Sequence, residues 1–257
     1  MLQSKRLLVA LAVLVLLVPA LGAFAQGDLP DLGGRTVTVA VENAYIPFNY
    51  IDEDTGEAIG WDYDAVGEIC NRLNCVPEYI EIGWDGMIIA VSNGEYDMAA
   101  DGITITAERD EIVDFSRGYI DLQQRALVRI DEDRFMSLDD LQAGDYTIGV
   151  QVATTNYETA EDFVGEDRIQ AFETFGFAIQ ALIAGDVDAV IMDETAGQGY
   201  VGEDSDKLKI VGEVLKSDEL GFIFPKGSDL VEAFNAALLA MMDDGSLDEI
   251  NAQWFGG

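Results

Sequence analysis

The chain has 257 residues, 49% of them hydrophobic, and 49 acids against 14 bases give it a net charge of −35. This is the composition of a folded globular protein, and so acidic a surface repels nucleic acid and anionic lipid. Histidine is absent, which excludes Ser-His-Asp catalysis, histidine acid–base chemistry and histidine-ligated metals.

Residues 1–25 read as a secretory signal peptide. Lys5 and Arg6 precede an apolar run from Leu7 to Val18, and Ala23-Phe24-Ala25 offers a cleavage site. The run is short for a transmembrane helix; a membrane anchor or a buried helix is the alternative. Cleavage after Ala25 leaves Gln26–Arg35 as a loose leader, with no cysteine at the new terminus to carry a lipid. Losing Lys5 and Arg6 moves the net charge from −35 to −37. Most of these acids read as solubility or as adaptation to a salt-rich habitat.

Thr36–Val41 is β-branched and predicts a strand, and Ala44–Tyr50, with Pro47, predicts a loop. Asp52–Gly56 is a polar turn. Apolar residues at 65, 66, 69, 70 and 73 predict a helix over 64–73, followed by a strand over 76–82. A helix over 85–93 stops at Gly94, and a short strand covers 96–100. Cys70 and Cys75, the two cysteines, read as a disulfide stapling helix to strand in an exported protein; free buried thiols are the alternative.

The alternation then repeats. Helices are expected over 138–141, 156–164 and 175–184, the last stopped by Gly185, and strands over 146–151, 169–172 and 187–192. A strand over 220–224 and helices over 230–242 and 247–254 complete the chain. Alternating strands and helices imply α/β layers with largely parallel sheets. Ala90–Asp97 also echoes Ala181–Asp188: a helix end, a glycine, an aspartate, then apolar strand positions. Helix–Gly–strand units are common; the other reading is two lobes of similar build. Ligands of open α/β sheets bind beyond the carboxyl ends of strands, so two such lobes facing each other would form one cleft.

Several side chains near those strand ends carry chemistry. In Asp101-Gly102-Ile103-Thr104-Ile105-Thr106-Ala107-Glu108-Arg109, Thr106 looks like a helix cap, and Arg109 can bind a carboxylate in a forked geometry or pair with a surface acid. Asp193 closes a buried strand, so it can accept from an ammonium group or cap the following helix. Tyr45 and Trp84 can flank an aliphatic or cationic group or fill the core. Gln151-Val152-Ala153-Thr154-Thr155-Asn156 leads from strand into helix, whose free amides suit an anion.

These stretches resemble the bacterial extracellular solute-binding proteins of family 3, the polar amino-acid-binding components of ABC importers. The resemblance runs from about Thr36 to Phe255 and rests on GWDYD (60–64), WDGMI (84–88), GITITAER (102–109), VDFS (113–116), GVQ (149–151), VDAV (187–190) and FPKGS (224–228). It implies a two-lobed α/β periplasmic-binding-protein type II fold with two hinge strands. Lobe 1 would comprise 36–118 plus 221–257, lobe 2 would comprise 125–215, and hinges would lie at about 119–124 and 216–220. It further implies that Arg109, Thr104 and amides near Thr155 hold a ligand carboxylate, that Asp193, Thr104 and the Gly102 carbonyl hold its ammonium, and that Tyr45 and Trp84 flank its side chain. Thr154 and Gln151 complete the set on lobe 2. The chain departs from many relatives in having Ala153 where they have glycine, and Gln151 where some glutamine binders have lysine.

Glu42 matches a position that is often acidic in that family, and Asp101 lies beside the pocket. Two acids with Tyr45 and Trp84 suit a cation, so the expected ligand is a cationic amino acid, arginine before lysine or ornithine. A neutral polar amino acid is the competitor. The partners implied are a free amino acid and a membrane permease, with no nucleic acid, cofactor or metal, and a monomeric chain in the periplasm or another extracytoplasmic space. The same fold serves exported dehydratases of the cyclohexadienyl or arogenate type, for which Glu194 is a conceivable proton donor. It also serves ligand sensors of separate receptors.

Overall fold

The computed structural model describes residues 29–135 and 137–256; the expected signal peptide, residues 1–25, lies outside them. The first half runs β1 (Arg35–Val41), β2 (Ala44–Tyr45), β3 (Asn49–Ile51), β4 (Ala58–Ile59), α1 (Trp61–Leu73), β5 (Cys75–Glu81), α2 (Trp84–Ser92), β6 (Met98–Ala99), α3 (Ala107–Asp110), β7 (Val113–Phe115) and β8 (Ile120–Arg129). It continues through α4 (Leu138–Ala143), β9 (Ile148–Gln151), α5 (Thr155–Val164), β10 (Ile169–Phe172), α6 (Phe175–Ala184), β11 (Ala189–Asp193) and α7 (Glu194–Glu203). The chain closes with β12 (Leu208–Leu220), β13 (Ile223–Pro225), α8 (Leu230–Asp244) and α9 (Ser246–Phe255).

Two five-stranded sheets organise the molecule, ordered β5-β1-β6-β13-β7 and β10-β9-β11-β8-β12. Each begins with two parallel pairings and ends with two antiparallel ones. The expectation of largely parallel sheets is thus corrected to mixed sheets, because β13 and β8 return against the strand direction of their lobes. The two-lobed α/β architecture is as expected.

The echo between 90–97 and 181–188 is structural. Gly94 and Gly185 both adopt positive φ, 74° and 86°. Glu95 N donates to Ala90 O at 3.0 Å, and Asp186 N to Ala181 O at 2.9 Å, which is the same helix-terminating bond in both lobes. Asp97 then accepts from the amide of Thr38 at 2.9 Å, and Asp188 from the amide of Thr147 at 2.9 Å. In each lobe this aspartate pins the strand after the helix to the neighbouring parallel strand, so both strands end on the same side.

The helix α1 starts at Trp61, three residues before the helix expected over 64–73. Its first amides donate to backbone rather than to a capping side chain: Trp61 N to Pro47 O at 3.0 Å and Asp62 N to Phe48 O at 2.9 Å. Gly60 makes this approach possible, since a Cβ there would stand 2.2 Å from Phe48 O. The same contact turns the expected loop over 44–50 into the paired strands β2 and β3.

Cys70 and Cys75 are joined in a disulfide across the end of α1. From Leu29 on, the expected loose leader is not loose. Leu32 N donates to Leu73 O and Gly34 N to Asn74 O, both at 2.7 Å, while Leu29 and Leu32 pack on the core. Reducing the disulfide is expected to lower stability by about 2 kcal/mol, the loop-closure value for so short a loop, read as a shift of the urea midpoint. An unchanged midpoint would mean that this docked segment already holds the junction.

The strands β8 and β12 cross between the lobes. They pair antiparallel from Ile120↔Leu220 to Gln124↔Lys216, then shift register before pairing again from Ala126↔Val211 to Arg129↔Leu208. The expected strand over 220–224 is therefore divided, since Leu220 ends β12 and the next strand begins at Ile223.

Candidate functional site

The carboxyl ends of β1, β6, β9 and β11 face one cleft. Glu42 follows β1, Asp101 and Gly102 follow β6, Gln151 ends β9, and Asp193 ends β11. Tyr45 lies in β2, and Trp84 opens α2. Thr104 stands between β6 and α3, and Arg109 is held in α3, whose Thr106 cap accepts from Arg109 N. Thr154 caps α5 and Thr155 opens it. All eleven site residues expected from the sequence line the same cavity, which measures about 20 Å³, enough for a single water. Asn156 and Phe175 also line it. Asn156 is the second residue of α5 and Phe175 the first of α6; Asn156 stands in the strand-to-helix stretch 151–156 without an expected role, and Phe175 is not singled out by the sequence.

The lobes are closed on each other by hydrogen bonds across this cleft. The Trp84 indole donates to Ala153 O at 3.1 Å, and Arg109 Nη2 reaches the same carbonyl at 3.5 Å. Gln151 Nε2 donates to Glu42 Oε1 at 2.9 Å, and the Thr104 and Thr155 hydroxyls lie 3.3 Å apart. The Tyr45 hydroxyl donates to Asp193 Oδ2, and Asn156 donates to Asp193 Oδ1 at 3.1 Å. The Tyr45 ring is stacked between Phe48 and Phe175, with centroids 4.9 and 5.4 Å away. One edge of it also lies close to Gly102, where a Cβ would come within 2.4 Å of the ring. Tyr45 and Trp84 are thus both core residues and cavity walls, at 4% and 8% exposure.

Two charged residues do not take the non-ligand alternatives open to them. Arg109 donates to main-chain carbonyls, Thr104 O at 3.0 Å as well as Ala153 O, and lies over Trp84 with 5.4 Å from Cζ to the ring centroid. It is therefore not tied up in a surface ion pair. Burial lowers its pKa. Asp193 occupies the N-cap position of α7, but its side chain makes no cap bond and turns into the cavity instead.

The cavity lining carries three carboxylates, Glu42, Asp101 and Asp193, against one guanidinium. Burial, then the neighbouring charge of Asp101, pushes Glu42 up to about 8. Burial, then the charge of Asp62, pushes Asp101 up to about 7. Burial also raises Asp193. Behind the wall, Asn49 Nδ2 donates to Asp101 Oδ1 at 2.5 Å and to Asp62 Oδ2 at 2.8 Å. Neither Asn49 nor Asp62 was anticipated as part of the site, since no local pattern aims a loop asparagine at a strand-end aspartate 52 residues away.

Ala153 has φ 59°, a conformation that disfavours any residue with a Cβ. This strain presents its carbonyl to both Trp84 and Arg109. Ala153→Gly is expected to raise stability by about 0.5–1 kcal/mol, measured by urea unfolding; a loss would mean that the Cβ packs well enough to offset the strain.

A family model for Bacterial extracellular solute-binding proteins, family 3, matches residues 37–257. The L-cystine-binding protein TcyA of Bacillus subtilis is 29% identical over 222 residues, which cover 86% of this chain and 81% of that protein. The arginine-, lysine-, histidine-binding protein ArtJ of Geobacillus stearothermophilus superposes with a TM-score of 0.81 at 35% identity, covering 87% of this chain and 96% of that one. An ancestral amino-acid-binding protein described as a precursor of cyclohexadienyl dehydratase superposes with a TM-score of 0.79 at 31% identity, covering 86% and 95%.

Proposed function

This chain belongs to the bacterial extracellular solute-binding proteins of family 3, and from that premise we propose that it captures a free cationic amino acid, arginine before lysine or ornithine, and delivers it to an ABC importer. The observation that carries the reading is the charge balance of the cavity, three carboxylates against one guanidinium. A zwitterionic amino acid uses one of each: its carboxylate on Arg109, Thr104 and the amides opening α5, and its ammonium on Asp193 with Thr104 and the Gly102 carbonyl. Glu42 and Asp101 then remain for the side chain, between Tyr45 and Trp84. Two neighbouring clefts, both lined by Ala44 and Thr174, agree with this. Their charged linings, which include Asp52, Asp204, Glu81 and Glu173, are entirely acidic and would draw cations inward.

Capture works by hinge closure. Lobe 1 is assigned 36–118 and 221–257, lobe 2 125–215, and the hinges the paired ends of β8 and β12 at 119–124 and 216–220. Gln124, at the edge of the hinge, donates to Asp218 Oδ2 at 2.6 Å and to Thr155 Oγ1 at 3.1 Å. It thereby links both hinge strands to the helix start that receives the carboxylate. The cavity volume means that the lobes separate before an amino acid enters, and contacts from both lobes then favour the closed form. Export by a cleaved segment over 1–25 and recognition by a permease complete the proposal. Among the described residues no helix is long and apolar enough to cross a membrane.

Binding without turnover is the reading that the side chains favour. The dehydratase reading loses the proton donor expected for it: Glu194 is paired with Arg125 at 2.9 Å and does not line the cavity, and the protonatable carboxyls that do line it, Glu42 and Asp101, are the groups assigned above to the ligand side chain. Calorimetry of the processed protein, freed of carried-over ligand, against the common amino acids tests the proposal. Tight binding of arginine or lysine alone supports it. Tight binding of glutamine or cystine keeps the amino-acid reading and overturns the cationic one, and turnover of prephenate or arogenate overturns both.

A further inference from the structure

Asp62 is fully buried in the first turn of α1, outside the cavity lining. Its Oδ2 accepts from Asn49 Nδ2, and its Oδ1 is buried with no hydrogen-bond partner among the described residues. Asn49 is also fully buried, and its Nδ2 serves Asp101 as well, at 2.5 Å. One neutral amide group thus stands between two buried carboxyls, one of them in the cavity wall. The elements packed around α1 supply Tyr79 from β5, Tyr119 from before β8, and Asn251 from α9, which accepts from the Trp61 indole at 2.7 Å. Tyr63, Tyr79 and Tyr119 all feel the charge of Asp62 in the direction that keeps a phenol protonated. Among the described residues, no lysine or arginine is among the influences on Asp62, which are burial and the Asn49 hydrogen bond. Arg109 lies against Trp84 and the Ala153 carbonyl.

We propose that Asp62 is a specificity-determining positioning residue: it shares Asn49 with Asp101 so that the pair holds one proton, which a cationic ligand side chain expels when it docks beside Asp101. The inference rests on the cationic reading above. Two carboxylates bridged by one amide in a dry interior cannot both remain ionised without a cation. The uncompensated Oδ1 is a natural seat for the proton, and burial pushes Asp62 up to about 7. A bound guanidinium supplies the missing positive charge and lowers both acids, so binding releases a proton. The sign follows: affinity for a cation rises with pH across the window from about 6 to 8, while affinity for a neutral side chain does not. The second charge of the pair is thus present only with the right ligand, which sharpens discrimination between a guanidinium and an isosteric neutral group.

Glu42 also titrates near this end, so the test uses the Glu42→Gln protein. Its affinities for L-arginine and for L-citrulline, the neutral isostere, are measured by calorimetry at pH 6, 7 and 8 in two buffers of different protonation enthalpy. Arginine affinity is expected to rise about tenfold from pH 6 to 8, with proton release near pH 7 that citrulline does not produce. Adding Asp62→Asn is expected to reduce that rise to less than about twofold and to abolish the release. A tenfold rise that survives Asp62→Asn, or no rise in Glu42→Gln, overturns the inference. Should Asp62→Asn fail to fold, infrared spectroscopy of the Glu42→Gln protein decides. A protonated-carboxyl band at pH 6.5 that arginine bleaches supports the proposal, and an unmoved spectrum overturns it. Failure of the unaltered protein to bind arginine at pH 8 overturns the cationic reading and this inference together, whereas arginine binding without proton exchange overturns this inference alone.

Discussion

Asp193→Asn is expected to weaken binding of every α-amino acid, cationic or neutral, by about 30- to several-thousand-fold, the loss of about 2–5 kcal/mol seen when one member of a buried charge pair is removed. The carboxylate is 5% exposed, and its two partners, the Tyr45 hydroxyl and the Asn156 amide, are both neutral donors. Burial raises its pKa and outweighs both hydrogen bonds and the charge of Arg109, the weakest of the influences on it, and an α-ammonium is the group that would supply the missing charge at close range. The ammonium is common to all candidate ligands, so the loss should be uniform across the panel. Folding should survive, because an asparagine oxygen can still accept from one of the two donors, and the urea midpoint checks this. Affinity retained within about threefold would mean that the ammonium is held elsewhere and that Asp193 only anchors Tyr45.

Glu42→Gln is expected to have the opposite profile across ligands. Arginine should bind about 10- to 150-fold more weakly, from the loss of about 1.5–3 kcal/mol of charge-assisted hydrogen bonding. Citrulline or glutamine should bind as before or better. Gln151 donates to both Glu42 oxygens, at 2.9 and 3.2 Å, and to Glu173 O at 3.0 Å, so a neutral amide already rests on this carboxylate when the lobes are closed. That contact leaves the Glu42 charge uncompensated, and burial with the nearby Asp101 pushes its pKa up to about 8. A cationic side chain would reverse that shift, and a neutral one would not. Unchanged arginine affinity in Glu42→Gln would sink the charge argument and move a neutral polar ligand to the front.

Read from the amino acids alone, the local grammar of this protein is clear where a backbone decision depends on near neighbours. The strand over 169–172 and the helix over 175–184 coincide with β10 and α6, because β-branched and aromatic residues, a Thr174 cap and the left-handed Gly185 act within a few positions of one another. The Thr106 cap follows the same logic. Eleven of the thirteen residues around the cavity were legible by a different route. They sit in motif stretches shared with a family, at strand ends where an α/β fold places its ligands, and nothing in their periodicity alone distinguishes them from core or surface.

Tertiary structure decided the remainder, for reasons of distance along the chain. The strands β8 and β12 carry mixed polar and apolar residues, and their pairing, Ile120 with Leu220, spans a whole lobe of intervening chain. No hydrophobic period could announce it. The Tyr45–Asp193 bond closes 148 residues of sequence, and the single amide of Asn49 joins Asp62, 13 residues on, to Asp101, 52 residues on. Composition alone established that the protein is acidic. Only the packing of three distant segments, at the ends of β1, β6 and β11, decided which of its 49 acids form the cavity wall, where a charge without a partner costs most and a cationic ligand has most to offer.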